Sequence, residues 1–178
     1  MMKKTLRTGK IFTVNFLIVI SLFSCKTQDA TLTTTADATY ALSQQNVDAV
    51  IWTATSAEMH YSSIQAYDLA ILKLKTKISN DYSKPIAVVM DLDETVIDNS
   101  PYMFQQIAKG KTFDGDSWYE WCMEASAGIL PGAFDFIKKC EELDIEVFYI
   151  SNRGIETLSG TLDNLQKLDI KTDAAHVL

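Results

Sequence analysis

Two short stretches carry most of the chemistry in this chain. Asp91-Leu92-Asp93-Glu94-Thr95 follows the apolar run Ile86-Ala87-Val88-Val89-Met90, and Ser151-Asn152-Arg153 follows the run Ile145 to Ile150. On extended backbone, residues i and i+2 share one side about 6.6–6.8 Å apart, so Asp91 and Asp93 address the same small substrate. Two such close carboxylates repel unless a cation lies between them or one is protonated. A hard divalent ion with oxygen ligands, Mg²⁺ above all, suits that arrangement. The pair also permits a division of labour in which one carboxylate attacks an electrophile and the other handles the proton of the leaving group. Phosphoryl transfer fits this chemistry, since a metal offsets the charge of phosphate against the attacking carboxylate. Ser151 and Asn152, at a strand-to-helix junction, supply a hydroxyl and backbone N–H groups for phosphoryl oxygens.

Other readings of these residues fail on spacing. An EF-hand starting at Asp91 needs Gly at its sixth position and Glu at its twelfth, where Val96 and Tyr102 stand. A P-loop ending at Gly110-Lys111-Thr112 needs Gly at position 105, where Gln105 stands.

The elements that must position these groups follow from periodicity. Between Leu42 and Ile78, apolar residues recur at three- and four-residue steps, which predicts two helices ended by Ser79-Asn80 and Pro85. The two apolar runs predict strands covered on both faces. Residues 133–142 and 156–167 predict helices, and Ala175 to Leu178 the start of a third strand. That alternation predicts a parallel sheet with crossover helices, in which ligands bind at the carboxyl ends of the strands. Cys122 and Cys140, each among apolar residues, are expected as buried free thiols. His60 and His176 lie far from the acidic loop in sequence and are expected to be packing or surface residues.

The 178 residues are 47% hydrophobic and 22% charged, the composition of an ordinary globular protein of one main domain. The formal charge of −7 argues against nucleic acid as a partner, because no basic stripe is available for a phosphate backbone. The charge is uneven: Lys3, Lys4, Arg7 and Lys10 precede every acidic residue, and the other 12 basic side chains face 23 acidic ones. After these cations come the apolar run Ile11 to Phe23, then Ser24 and Cys25. The run is too short to span a bilayer but has the pattern of a secretory leader. Leu22-Phe23-Ser24-Cys25 resembles a bacterial lipobox, which implies a signal peptide over 1–24, lipid on Cys25 and a membrane anchor. A polar, Thr-rich tether is expected over 25–41 and the main domain over 42–178.

DLDETVIDNS after a strand, with VFYISNR downstream, resembles the haloacid-dehalogenase superfamily, specifically its class C (lipoprotein) acid phosphatases, also called 5'-nucleotidase lipoproteins. Trp52 with Ser56-Ala57-Glu58, Gln65-Ala66-Tyr67, Trp118 with Trp121, and Pro131-Gly132-Ala133 extend the resemblance across the exported part of the chain. It implies an α/β fold: a Rossmann-like parallel sheet with N-terminal helices and a small cap insertion at about 102–130. It makes Asp91 the nucleophile and Asp93 the general acid and base, with both at the metal and Asp93 contributing its backbone carbonyl. Thr95 then supports the loop, and Ser151 with Asn152 holds phosphate. Dehalogenases of the superfamily usually lack the second Asp, so Asp93 speaks for phosphate. Trp118 and Trp121 are the cap candidates for stacking a nucleobase or aryl group, the alternative being that they pack the insertion's own core.

The implied activity is Mg²⁺-dependent hydrolysis of phosphomonoesters, nucleoside 5'-monophosphates foremost, at a bacterial envelope and in the outer membrane. A non-catalytic surface lipoprotein with a residual metal site is the alternative. The later Lys and acidic loop that the family uses are not recognisable before Leu178. An N-terminal piece of a longer enzyme, inactive by itself and marginally folded, is therefore expected.

Overall fold

The computed structural model describes residues 35–79 and 84–178. The chain divides into units Met1–Thr31 and Leu32–Leu178, and every described residue belongs to the second. The leader, Cys25 and the tether up to residue 34 lie outside the described residues.

Helix α1 (Thr35–Gln45) precedes the two helices predicted between Leu42 and Ile78, which are α2 (Val47–Thr55) and α3 (Ala57–Ile78). The break between α2 and α3 is a cap at Ser56. Ser56 leaves helical geometry at ψ 139° and its hydroxyl accepts from the Met59 N–H, satisfying one of the donors that a new helix leaves open. Helix α1 begins at Thr35, inside the polar stretch read as tether, with Asp37 in its first turn where the helix dipole favours a negative charge.

Strand β1 (Ala87–Met90) pairs in parallel with β4 (Glu146–Tyr149), Ala87 opposite Glu146 through Met90 opposite Tyr149. A third segment joins on the far side of β4. The Tyr149 N–H donates to His176 O (2.7 Å), and the Leu178 N–H to Tyr149 O (2.8 Å), where the sequence predicts a further strand. Coverage of both sheet faces does not hold among the described residues, since Val89 is 62% exposed. A small antiparallel pair, β2 (Ile97–Asp98) with β3 (Gly128–Ile129), brackets the insertion that contains α4 (Ser100–Ala108) and α5 (Gly115–Glu124). Helix α6 (Ala133–Glu142) leads into β4, and a 3-10 turn (Ile155–Thr157) with α7 (Leu158–Lys167) follows it.

The core gathers Leu92, Val96, Ile97, Ile137, Cys140 and Leu165, all fully or almost fully buried. Cys122 and Cys140 are buried free thiols, and burial pushes the Cys140 thiol up to about 11. Two glycines allow close approaches. Gly132 sits at φ 84°, where a Cβ would meet the Tyr67 side chain at 3.1 Å. At Gly160 a Cβ would lie 2.4 Å from the Cys122 carbonyl oxygen, so α7 packs on α5 only through the missing side chain. Among the described residues, no helix is long and apolar enough to cross a membrane.

Candidate active site

Beyond Met90 the chain turns sharply back. The Leu92 carbonyl accepts from the N–H groups of Thr95 (3.2 Å), Val96 (2.8 Å) and Ile97 (2.8 Å), and the Glu94 N–H donates to Ile97 O. Closing so tight a turn puts Glu94 at φ 55°, in the left-handed region that non-glycine residues seldom occupy. The backbone N–H of Asn99 donates to Glu94 Oε1 (3.3 Å). Burial of the carboxyl end pushes Glu94 above the usual carboxylate range, although much of the residue is exposed.

The turn delivers Asp91 and Asp93 into very different surroundings. Asp91 is exposed, and its Oδ2 accepts from Thr95 Oγ1 at 3.0 Å. The Tyr67 hydroxyl of α3 donates to Thr95 O at 2.5 Å. Burial, and secondarily the Asp91 charge, pushes that phenol up to about 12. Asp93 is surrounded by donors. Asn99 Nδ2 lies 2.8 Å from its Oδ1, Arg153 Nη2 2.7 Å from the same oxygen, and Arg153 Nε 3.1 Å from both oxygens.

Ser151 and Asn152 do different things. Ser151 Oγ turns onto Asp93 Oδ2 (3.5 Å) and accepts from the Arg153 N–H, whereas Asn152 is exposed on the cavity wall. The cavity itself is about 690 Å³, within the usual range for a small-molecule site. Asp91, Asp93 and Asn152 line it at one end, and Asn46, Ala49, Val50 and Thr53 of α2 line it with Tyr102, Phe113 and Trp118.

The two tryptophans part company. Trp118 lines the cavity, its ring edge-on to Tyr102 and 5.9 Å from Phe113 between centroids. Trp121, three positions on, is 5% exposed, and its indole N–H donates to Asn99 Oδ1 at 2.9 Å. Its expected place against substrate is therefore corrected: it is a core residue that fixes the Asn99 amide, and Asn99 in turn bonds Asp93. Both rings also join the aromatic cluster around Tyr102, so packing and lining are combined in Trp118 alone. His60 and His176 are both away from the cavity, the latter held by Asp173 at 2.7 Å.

Arg153 is the residue that sequence reasoning undervalued. It was visible as the third residue of the Ser-Asn-Arg stretch and as a cation beside an acidic loop, but its partner lies 60 positions upstream. Among the described residues no three His, Cys, Asp or Glu side chains converge as a metal cluster. The strand end offers hard oxygen in the exposed Asp91 carboxylate, to which the family resemblance adds the Asp93 main-chain carbonyl. That donor chemistry fits Mg²⁺, which retains several waters and needs only one or two carboxylates. The Asp93 carboxylate, engaged by Arg153, is not a further ligand in this arrangement.

A parallel sheet with its acids at the strand ends under an aromatic insertion defines a haloacid-dehalogenase-type protein. The family model for HAD superfamily subfamily IIIB (acid phosphatase) matches residues 16–178, and the chain belongs to that family. The crystal structure of a class C acid phosphatase from Bacillus anthracis with tungstate bound is similar at 36% identity and a TM-score of 0.74. The match covers 77% of this chain and 58% of that one. A second structure of the class C acid phosphatase from Bacillus anthracis matches with the same values. The chain thus spans 58% of the length of these relatives.

Proposed function

We propose that this protein hydrolyses phosphomonoesters, nucleoside 5'-monophosphates foremost, through an aspartyl-phosphate on Asp91. The observation that carries the reading is the contrast at one cavity floor: an exposed Asp91 carboxylate beside an Asp93 carboxylate fixed by Arg153 and Asn99. An Asp91 oxygen bonds to phosphorus as the ester P–O bond breaks, and the bonding pair leaves with the alkoxide oxygen. That oxygen takes a proton from the Asp93 carboxyl. In the second half, Asp93 accepts a proton from water as the water oxygen attacks phosphorus, releasing inorganic phosphate and the Asp91 carboxylate. The exposed Asn152, on the cavity wall, holds phosphoryl oxygens. Mg²⁺ held by the Asp91 carboxylate and the Asp93 carbonyl would offset negative charge on the phosphoryl group.

Phe113 and Trp118 support a nucleotide or aryl ester as substrate, since stacking on a ring contributes about 1–3 kcal/mol per base. The leader pattern and Cys25 support export and lipid anchoring, with the bacterial outer membrane as the site. Phosphate release from a nucleoside 5'-monophosphate by the whole protein, with Mg²⁺ and with a chelator, tests the activity. Turnover that survives Asp91→Asn removes the nucleophile assignment. Labelling with radioactive palmitate, abolished by Cys25→Ser, tests the anchor.

A further inference from the structure

We propose that Arg153 is a positioning residue that fixes which oxygen of Asp93 is left for the leaving group, and that ties this orientation to the cap through Trp118. The proposal rests on the phosphatase reading above. Each carboxylate oxygen has two good acceptor directions. Oδ1 is filled by two short bonds, from Arg153 Nη2 (2.7 Å) and Asn99 Nδ2 (2.8 Å). Oδ2 receives only the shared Nε bond at 3.1 Å and Ser151 Oγ at 3.5 Å. Its bonds are longer and weaker than the two short ones on Oδ1, so it is the oxygen more readily turned over to a leaving group.

The guanidinium is itself held from other sides. Nη1 donates to the buried Thr161 Oγ1 of α7 at 3.0 Å, and the plane lies over the Trp118 ring with Cζ 5.4 Å from its centroid. Its side chain is only 5% exposed. A buried ion pair is by itself weak evidence for stabilisation, so a fork spent on the residue two places after the nucleophile points to orientation. Lysine keeps the charge but has neither the fork nor the planar face that meets Trp118.

The experiment compares two substrates in the whole protein: p-nitrophenyl phosphate, whose leaving group departs without help, and a simple alkyl monophosphate, whose alkoxide needs a well-placed proton donor. Asp93→Asn is the reference and lowers alkyl ester turnover by about a hundredfold or more beyond its effect on the aryl ester. Arg153→Lys is expected to follow the same pattern more mildly, about tenfold on the alkyl ester and within about threefold on the aryl ester. Thr161→Val, which removes one anchor and keeps the guanidinium, moves the same ratio in the same direction by less. Aryl ester turnover serves as the check that each variant is folded. Equal losses on both substrates in Arg153→Lys make the arginine a structural residue and overturn the proposal. Faster or unchanged alkyl turnover overturns it as well, because the arginine then restrains Asp93 or does nothing to it. If wild type turns over neither ester, or Asp93→Asn shows no dependence on the leaving group, the phosphatase reading fails and carries this assignment with it.

Discussion

The loop after β1 is closed by its own backbone, three N–H groups meeting at Leu92 O, and is braced by the Tyr67 hydroxyl. The loop after β4 has fewer bonds of its own, leaves Asn152 exposed and Ile155 80% exposed, and sends one long side chain across to the first loop. The first arrangement holds Asp91 in one fixed presentation. The second commits Arg153 and Ser151 to Asp93 and leaves the exposed Asn152 facing the cavity. Strain is tolerated only in the first loop, at Glu94, where the surrounding bonds over-determine the backbone.

Substitutions in the two loops should therefore behave differently. The largest expected effect is Asp91→Asn, which lowers phosphate release by about a thousandfold or more, the scale seen when a covalent nucleophile is removed. Its thermal midpoint should stay within a few degrees of wild type, because Asp91 is exposed; a large drop would place Asp91 in the stabilising network instead.

Gly160→Ala comes next. The new methyl meets backbone atoms of Cys122 and Met123, so the variant should lose about 1–3 kcal/mol or more in urea unfolding. It should also disturb the second loop, whose Arg153 leans on Thr161, more than the first.

Tyr67→Phe should cost about 1 kcal/mol by leaving Thr95 O without its donor. It also carries a pH signature. A phenol raised from its ordinary value near 10 to about 12 stays protonated in the folded chain while the unfolded chain ionises. Its contribution to stability is thus complete below about pH 10 and is lost as pH rises towards 12. Thermal midpoints measured across that window should fall more steeply in wild type than in the variant. Parallel curves would mean the loop does not depend on the phenol.

Asn152→Ala should be the mildest for stability, within about 0.5 kcal/mol, since the side chain is exposed. Its effect belongs in binding: a raised KM for phosphomonoester with a nearly unchanged midpoint.

What the sequence made legible was local. The acidic turn, the helix over 133–142, the buried thiols and the third segment at Val177 all follow from short-range pattern, and the structure has them. The missed features depend on long-range closure. Asp93 and Arg153 are 60 positions apart, Trp121 and Asn99 22 apart, and nothing in periodicity says which residues meet. Trp118 and Trp121 read alike because both are aromatic residues of one insertion. The helix turns one towards the cavity and the other towards Asn99, and only the docking of α5 on its neighbours determines that. The third N-terminal helix, α1, was hidden because TADATYALSQQ is polar and carries no sustained apolar spacing.

The brace and the clamp around the two aspartates also differ in when they can form. Tyr67 precedes Thr95 by 28 residues, whereas Arg153 follows Asp93 by 60. On a ribosome, which releases the N-terminal part first, the partner for the Asp91 turn is already in existence when that turn emerges. The partner for its neighbour is not, and until Arg153 arrives Asp93 is a carboxylate without its cation. The two supports are thus ordered along the chain, the brace at Thr95 before the clamp on Asp93.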